Sequence, residues 1–126
     1  MTQLRKQREV QRMDWPPPLN GEEISHTALH VGTIISAEVN RRAKKPAYHM
    51  VIDFGPLGMK HSSAQITVRY QPEDLTGRQV VAVTGLPPKR IAGVVSEVLV
   101  LGAELDGNDV ILLSIDSPVP NGTRIT

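Results

Sequence analysis

The sequence contains no cysteine. This absence excludes a disulfide framework, a thiolate metal site and a cysteine nucleophile, and it favours a cytoplasmic location. Histidine is the other common metal ligand, but His26 and His30 have no third candidate ligand near them. We therefore expect neither a metal nor any other cofactor.

Aromatic residues are also scarce, at 3% of the chain. They are Trp15, Tyr48, Phe54 and Tyr70. These are too few to build the stacking platforms with which many small barrels hold single-stranded nucleic acid. An RNA partner, if there is one, is therefore expected to be recognised by its folded shape.

Long apolar runs are missing as well. No segment approaches the ~20 apolar residues that a membrane span needs, and no apolar run follows the basic residues between Arg5 and Arg12, as a secretory signal would require. We therefore expect no membrane insertion. The formal net charge is only +1, so an affinity for phosphate would have to come from local clusters of cations.

The length of 126 residues suits one domain. Residues 1–21 mix charged residues and glutamine with a proline-rich stretch around Pro16, which breaks any helix begun upstream. We therefore expect residues 1–21 to be a flexible N-terminal extension and residues 22–126 to be the folded domain.

From residue 28 onward, β-branched and aliphatic residues recur with a period close to two, which predicts strands. One face of the first strand is expected to carry Val31, Thr33, Ile35, Ala37 and Val39. One face of the second is expected to carry Tyr48, Met50, Ile52 and Phe54. The basic segment 40–46 would join them as a loop.

A third strand is predicted over residues 59–66, and a short helix is predicted to start at Pro72 and end near Gly77. Further strands are predicted over 79–84, within 91–101 and over 110–115. This order favours an all-β fold, an OB-fold Greek-key barrel with a short helix after the third strand and with N- and C-terminal extensions. Another small β-barrel would have a similar pattern.

Two basic segments are candidates for binding. The first loop contains Arg41, Arg42, Lys44 and Lys45, and a turn predicted between strands four and five contains Lys89 and Arg90. On an OB-fold, these two loops commonly border the binding face, where the cations could contact phosphates or the acidic rim of a protein. The alternative is that the loop is only a solubilising hairpin tip.

The third strand has small and polar residues that include Lys60, Ser62, Ser63 and Gln65. Such a face would let a backbone approach closely and hydrogen-bond to it, although a strand wetted on one side has the same pattern. His61 beside Ser62 raises the possibility of a hydrolase, but there is no nucleophile-elbow pattern and no orienting acid. We therefore expect a binding protein and not an enzyme.

Several segments between residues 28 and 126 together resemble the CsaA secretion-chaperone family. They are Lys44-Lys45-Pro46-Ala47-Tyr48, Asp53-Phe54-Gly55, Ser62-Ser63-Ala64-Gln65-Ile66-Thr67, Pro72 to Val83, Ser96-Glu97-Val98-Leu99-Val100-Leu101-Gly102 and Pro118-Val119-Pro120-Asn121-Gly122. The resemblance implies an OB-fold homodimer that acts as a molecular chaperone for unfolded or export-destined precursor proteins. It also implies a relation to the transfer-RNA-binding domains of methionyl-tRNA synthetases.

In the related transfer-RNA binders, a serine followed by glutamine, glycine and methionine lies on the RNA face. The matching residues here are Ser96, Glu97, Val98 and Leu99, of which only Ser96 agrees. Glu97 adds a negative charge where phosphate would approach, which favours the chaperone. A groove formed by residues 62–66, the two basic segments and an apolar wall near Leu99 would hold an extended segment. Binding of structured tRNA is the alternative.

Overall fold

A computed structural model describes residues 28–126 and the single residue Pro18. Apart from Pro18, the predicted extension 1–21 lies outside the described residues, as does the start of the predicted domain at residues 22–27. The strands are β1 (Leu29–Val39), β2 (Tyr48–Asp53), β3 (Met59–Ala64), β4 (Gln79–Val83), β5 (Lys89–Ile91), β6 (Val94–Ser96), β7 (Leu99–Val100), β8 (Gly102–Glu104) and β9 (Val110–Leu112). One short helix, α1 (Pro72–Leu75), follows β3, and 3-10 turns lie at Gly55–Leu57 and Asp106–Asn108.

The main sheet has five antiparallel strands in the order β3-β2-β1-β4-β7. Its two ends meet, because β3 packs against β6 and β7. The sheet therefore curls into a nearly closed barrel, and the predicted all-β OB-fold with a short helix after the third strand is confirmed. Two small hairpins, β5–β6 and β8–β9, extend from the barrel.

The alternating apolar side chains of β2 form the centre of the core. Tyr48, Met50, Ile52 and Phe54 are all buried, as predicted from the period of two. They pack with residues such as Ile34 and Leu75 from the neighbouring elements in one apolar cluster. Burial of these side chains is the main favourable contribution to the stability of the barrel.

The prediction that one face of β1 carries every second residue from Val31 to Val39 is wrong around Ile34. Val31 is fully buried as expected, but Ile34 is also fully buried and Ile35 is 45% exposed. The register with β2 shifts between Ile34 and Ser36, which marks a β-bulge. Pairing with the buried face of β2 passes from Ile34 before the bulge to Ala37 beyond it, so an uninterrupted period of two cannot describe β1.

The last residues are part of the barrel. Residues 122–125 run beside the start of β1, where Gly122 N–H donates to Val31 O over 2.7 Å and Ile125 N–H donates to Leu29 O over 2.9 Å. Gln79 Nε2 also donates to Val119 O over 2.7 Å. The predicted C-terminal extension is therefore fixed to the barrel by backbone and side-chain hydrogen bonds.

Candidate binding groove

A groove of about 300 Å³ lies between the end of the barrel and the β5–β6 hairpin. We call it the β3–β6 groove. Its lining residues are Ser63, Leu86, Pro87, Lys89, Ile91, Ser96, Glu97, Val98 and Leu99. The structure thus brings together Ser63, Lys89, Ser96, Glu97 and Leu99 from the residues predicted to form a site.

The walls of the groove are mainly apolar. Leu86 and Leu99 are 42% and 52% exposed, so both leave apolar surface that a ligand would cover. Val98 also lines the groove and is buried, and Ile91 completes the apolar part of the lining. The sequence analysis did not predict Leu86, Pro87, Ile91 and Val98, because no motif in the sequence distinguishes them from ordinary strand or loop residues.

Lys89 and Arg90 lie in strand β5, whereas the sequence had placed them in a turn. The turn falls instead at Ala92 and Gly93, whose φ angles are 48° and 85°. Two successive positive φ values suit the type I′ turn that joins paired strands through two residues, and glycine adopts such a conformation without strain. Because Gly93 fixes the turn there, the cations before it pair with β6.

The first basic loop touches the tip of this hairpin. Asn40 Nδ2 donates to Ala92 O over 3.4 Å. A Cβ atom added at Gly93 would lie 2.5 Å from Arg42 Nη1, so the guanidinium group covers the turn. The two predicted basic segments are therefore neighbours, while Arg41, Lys44 and Lys45 are exposed and do not line the groove.

The carboxylate of Glu97 is held by strand β3. His61 N–H donates to Glu97 Oε1 over 3.0 Å, and Lys60 Nζ lies 3.9 Å from Glu97 Oε2. In return, Glu97 N–H donates to His61 O over 2.8 Å. The negative charge expected to repel phosphate is therefore paired with a cation, and Lys60 serves as that partner without lining the groove.

The polar face predicted on β3 divides into separate environments. Ser62 is 1% exposed and donates from Oγ to Val98 O over 3.0 Å, so its hydroxyl faces the barrel interior. His61 instead lies beside His49, with 2.8 Å between His61 Nδ1 and His49 Nε2. Ser63 N–H donates to Ser96 Oγ over 3.2 Å beside the groove, while Gln65 is exposed outside the lining.

Two sequence features considered above, a metal site and the His61–Ser62 pair, can be compared with the described residues. Among residues 28–126 and Pro18, no group of three histidine, aspartate or glutamate side chains is arranged to hold a metal ion. His61 and Ser62, adjacent on a strand, point to opposite faces of the sheet. No helix in this part of the chain is both long and apolar enough to cross a membrane.

A nearly closed OB barrel with an apolar groove and adjoining cations defines a small binding domain. The model of the family described as "Putative tRNA binding domain" matches residues 29–124, and the chain belongs to this family. The crystal structure of chaperone CsaA from Bacillus anthracis strain Ames is similar, with 52% identity and a TM-score of 0.83 over 87% of this chain and all of that one.

Two further relatives extend the comparison. The CsaA chaperone protein from Picrophilus torridus is 41% identical with a TM-score of 0.79, over 86% of this chain and all of that one. Methionine–tRNA ligase of Bacillus subtilis strain 168 is 32% identical over 95% of this chain. The chain spans only 18% of the length of that ligase, so the likeness is to one domain of it. The predicted resemblance to CsaA and to the tRNA-binding domains is confirmed.

Proposed function

We propose that this protein is a CsaA-like molecular chaperone that binds extended segments of unfolded or export-destined precursor proteins in the β3–β6 groove. The observation that carries the proposal is the groove itself, whose lining includes the exposed side chains of Leu86 and Leu99 and the buried Val98. The 52% identity to a chaperone that is matched along its whole length supports it. The same relatives point to a binding domain without catalytic activity.

The chemistry of the groove suits a weak and sequence-tolerant contact. Covering the exposed parts of Leu86 and Leu99 contributes through the hydrophobic effect, at about 25 cal/mol per Å² of apolar area. The polar lining residue Ser63 supplies a hydroxyl group that an extended backbone can use, whereas Ser96 Oγ already accepts from Ser63 N–H and donates to Val98 O. Neither contribution requires a particular sequence in the client. A chaperone that accepts many clients needs this tolerance of sequence.

Binding of structured tRNA is the second candidate. The specific observation in its favour is that Arg42 covers the tip of the hairpin that carries Lys89 and Arg90. Together with Arg41, Lys44 and Lys45, this gives six cations on two adjoining segments. The pairing of Glu97 with Lys60 also reduces the repulsion that its charge would exert on phosphate.

Salt dependence separates the two candidates. We would measure fluorescence anisotropy with a labelled unfolded precursor segment and a labelled tRNA, each at low and at physiological salt. Phosphate contacts release counterions, so an RNA complex made through these cations weakens steeply as salt rises. Binding of the precursor segment that persists at physiological salt while RNA binding is lost supports the chaperone. Tight RNA binding with no peptide signal would reject it.

Two single substitutions sharpen this experiment. Leu86→Ser removes an exposed apolar wall of the groove outside the stretch 96–99, and it should weaken binding of the precursor segment while leaving tRNA binding unchanged. Leu57→Ser is the matched control, because Leu57 is also about half exposed, at 45%, but lies in the 3-10 turn between β2 and β3. Equal effects of both substitutions would show that the groove is not the binding site.

A homodimer and a cytoplasmic location are further parts of the proposal. The apolar side chains Leu105, Ile111 and Leu113, on and beside the β8–β9 hairpin, are 47%, 39% and 45% exposed, which supports self-association through this region. Light scattering coupled to gel filtration would measure the mass in solution. A monomer at micromolar concentration would reject the homodimer.

A further inference from the structure

Strand β5 has an unpaired edge beside the β3–β6 groove. Within residues 28–126, β6 is the only strand that pairs with β5. The opposite edge of β5 therefore presents backbone groups to solvent, and such an edge is a template for another extended chain. Pro88 precedes the strand, and proline is tolerated next to an edge because it has no N–H to donate.

The turn geometry identifies which groups face outward. Ile91 and Val94 flank the two-residue turn at Ala92 and Gly93 and are paired with each other. In such a hairpin, the flanking pair exchanges both backbone hydrogen bonds. The N–H and C=O of Arg90, one residue further along, therefore point away from β6.

Alternate side chains of β5 line the groove, so the free edge of this strand lies directly beside it. Lys89 and Ile91 line the groove, while Arg90 between them does not. A chain added to the edge would itself place every second side chain on the groove side. Backbone pairing with Arg90 and filling of the groove are therefore compatible in one extended segment.

The unpaired charge at this edge is positive. Glu97 is already bound by Lys60 and by His61 N–H. Among the described residues, no carboxylate forms a salt bridge with Lys89, Arg90 or Arg42. An acidic side chain on the incoming segment would therefore find an available cation, whereas a basic one would be repelled.

We propose that the client segment binds as an added β-strand on the free edge of β5, with an apolar side chain in the groove and an acidic side chain against Lys89 or Arg90. This inference rests on the proposed chaperone function and specifies how the same groove selects its ligand. Affinity would come from main-chain hydrogen bonds, and the modest preference for sequence would come from alternate side chains.

An N-methyl scan of a short labelled peptide with alternating apolar and acidic residues tests this with the unaltered protein. Each N-methyl group removes one backbone donor. We expect methylation to weaken binding about two- to ten-fold at every second residue and to have little effect between them, because only alternate N–H groups face β5. A peptide with lysine in place of its acidic residues should also bind more weakly at low salt.

Two variants test the protein side. Arg90→Pro removes both the charge and the outward N–H while leaving the hydrogen bonds to β6 in place, and Arg90→Gln removes only the charge. We expect Arg90→Pro to bind the peptide about two- to ten-fold more weakly than Arg90→Gln, with circular dichroism confirming that both are folded.

The possible outcomes are distinct. Peptide binding that is insensitive to the position of the N-methyl group overturns strand addition on β5 and leaves the proposed chaperone function standing. Absence of any peptide binding overturns both. Alternating sensitivity in the scan supports strand addition, even if Arg90→Pro fails to fold.

Discussion

Ser62 shows how a residue that looks like part of a binding face can belong to the interior. Its hydroxyl donates to Val98 O, which also accepts a hydrogen bond from Ser96 Oγ over 3.3 Å. Ser62→Ala should therefore lower the free energy of unfolding by about 1 kcal/mol, since one buried hydrogen bond is lost and the carbonyl keeps a second donor. Chemical denaturation measures this. Loss of peptide binding with unchanged stability would instead assign Ser62 to the site.

Asp109 is the described carboxylate whose pKa is clearly lowered, because Arg69 donates hydrogen bonds of 2.9 and 2.8 Å to its two oxygens. A lowered pKa stabilises the fold above the unfolded value of about 3.9, and this stabilisation is lost as the pH falls through the folded value. We therefore expect Arg69→Gln to reduce the free energy of unfolding near neutral pH and to have little effect in strong acid. Arg69 is exposed and Asp109 is only partly buried, so the effect should be small.

The control for this pH comparison is Arg41→Gln, since Arg41 is exposed and has no salt bridge among the described residues. Urea denaturation of both variants at a series of pH values would give the dependence. A difference between Arg69→Gln and the parent that persists unchanged into strong acid would mean that Asp109 is not the group responsible.

Strand β1 crosses the core closely at Gly32. A Cβ atom there would lie 2.7 Å from Ile52 Cγ2 and 2.8 Å from the ring of Phe54, and both of these side chains are fully buried. Gly32→Ala should therefore destabilise the barrel by about 1–3 kcal/mol through overpacking. Gly85→Ala is the matched control, because its new Cβ would meet only Ala28 Cβ at 3.4 Å. Equal thermal stability of the two variants would contradict this packing argument.

The elements differ in how well the sequence predicted them. The prediction for β2 was correct because no bulge interrupts this strand. Every second residue therefore lies on the buried face. The prediction for β1 was wrong at Thr33 and Ile35, since the bulge that changes the core-facing set depends on pairing with a neighbour and leaves no mark in the composition. The segment 91–101 was expected to contain one strand, yet it contains the end of β5, all of β6 and all of β7. The division between β5 and β6 depends on the positive φ values at Ala92 and Gly93.

The groove was predicted only in part, because contacts between segments that are distant in the sequence form it. Ser63, Lys89, Ser96, Glu97 and Leu99 were found because each belonged to a polar, basic or family-like segment. The apolar wall was largely missed, since Leu86 and Ile91 look like ordinary strand or loop residues in the sequence. Only the closure of the barrel, which brings β3 against β6 and β7, turns these separate segments into one concave surface.

At the scale of the whole molecule, a homodimer would carry two copies of the groove, and a long client segment could occupy both. The second contact is then intramolecular, and overall affinity can exceed that of one site by about 10²–10⁴ without any new interaction. We therefore expect a peptide with two binding segments and a flexible linker to bind far more tightly than one segment alone. Titration of both peptides, followed by anisotropy, measures the ratio.

Linker length supplies the control for this prediction. A linker too short to span the two grooves should abolish the gain while each segment still binds singly, and a linker longer than the span should reduce the gain only gradually. Ile111→Ser, which removes an exposed apolar side chain from the β8–β9 hairpin, should lower both the dimer mass and the gain if this hairpin joins the protomers. A gain that survives in a monomeric variant would mean that both segments bind one barrel, and the paired-groove explanation would be wrong.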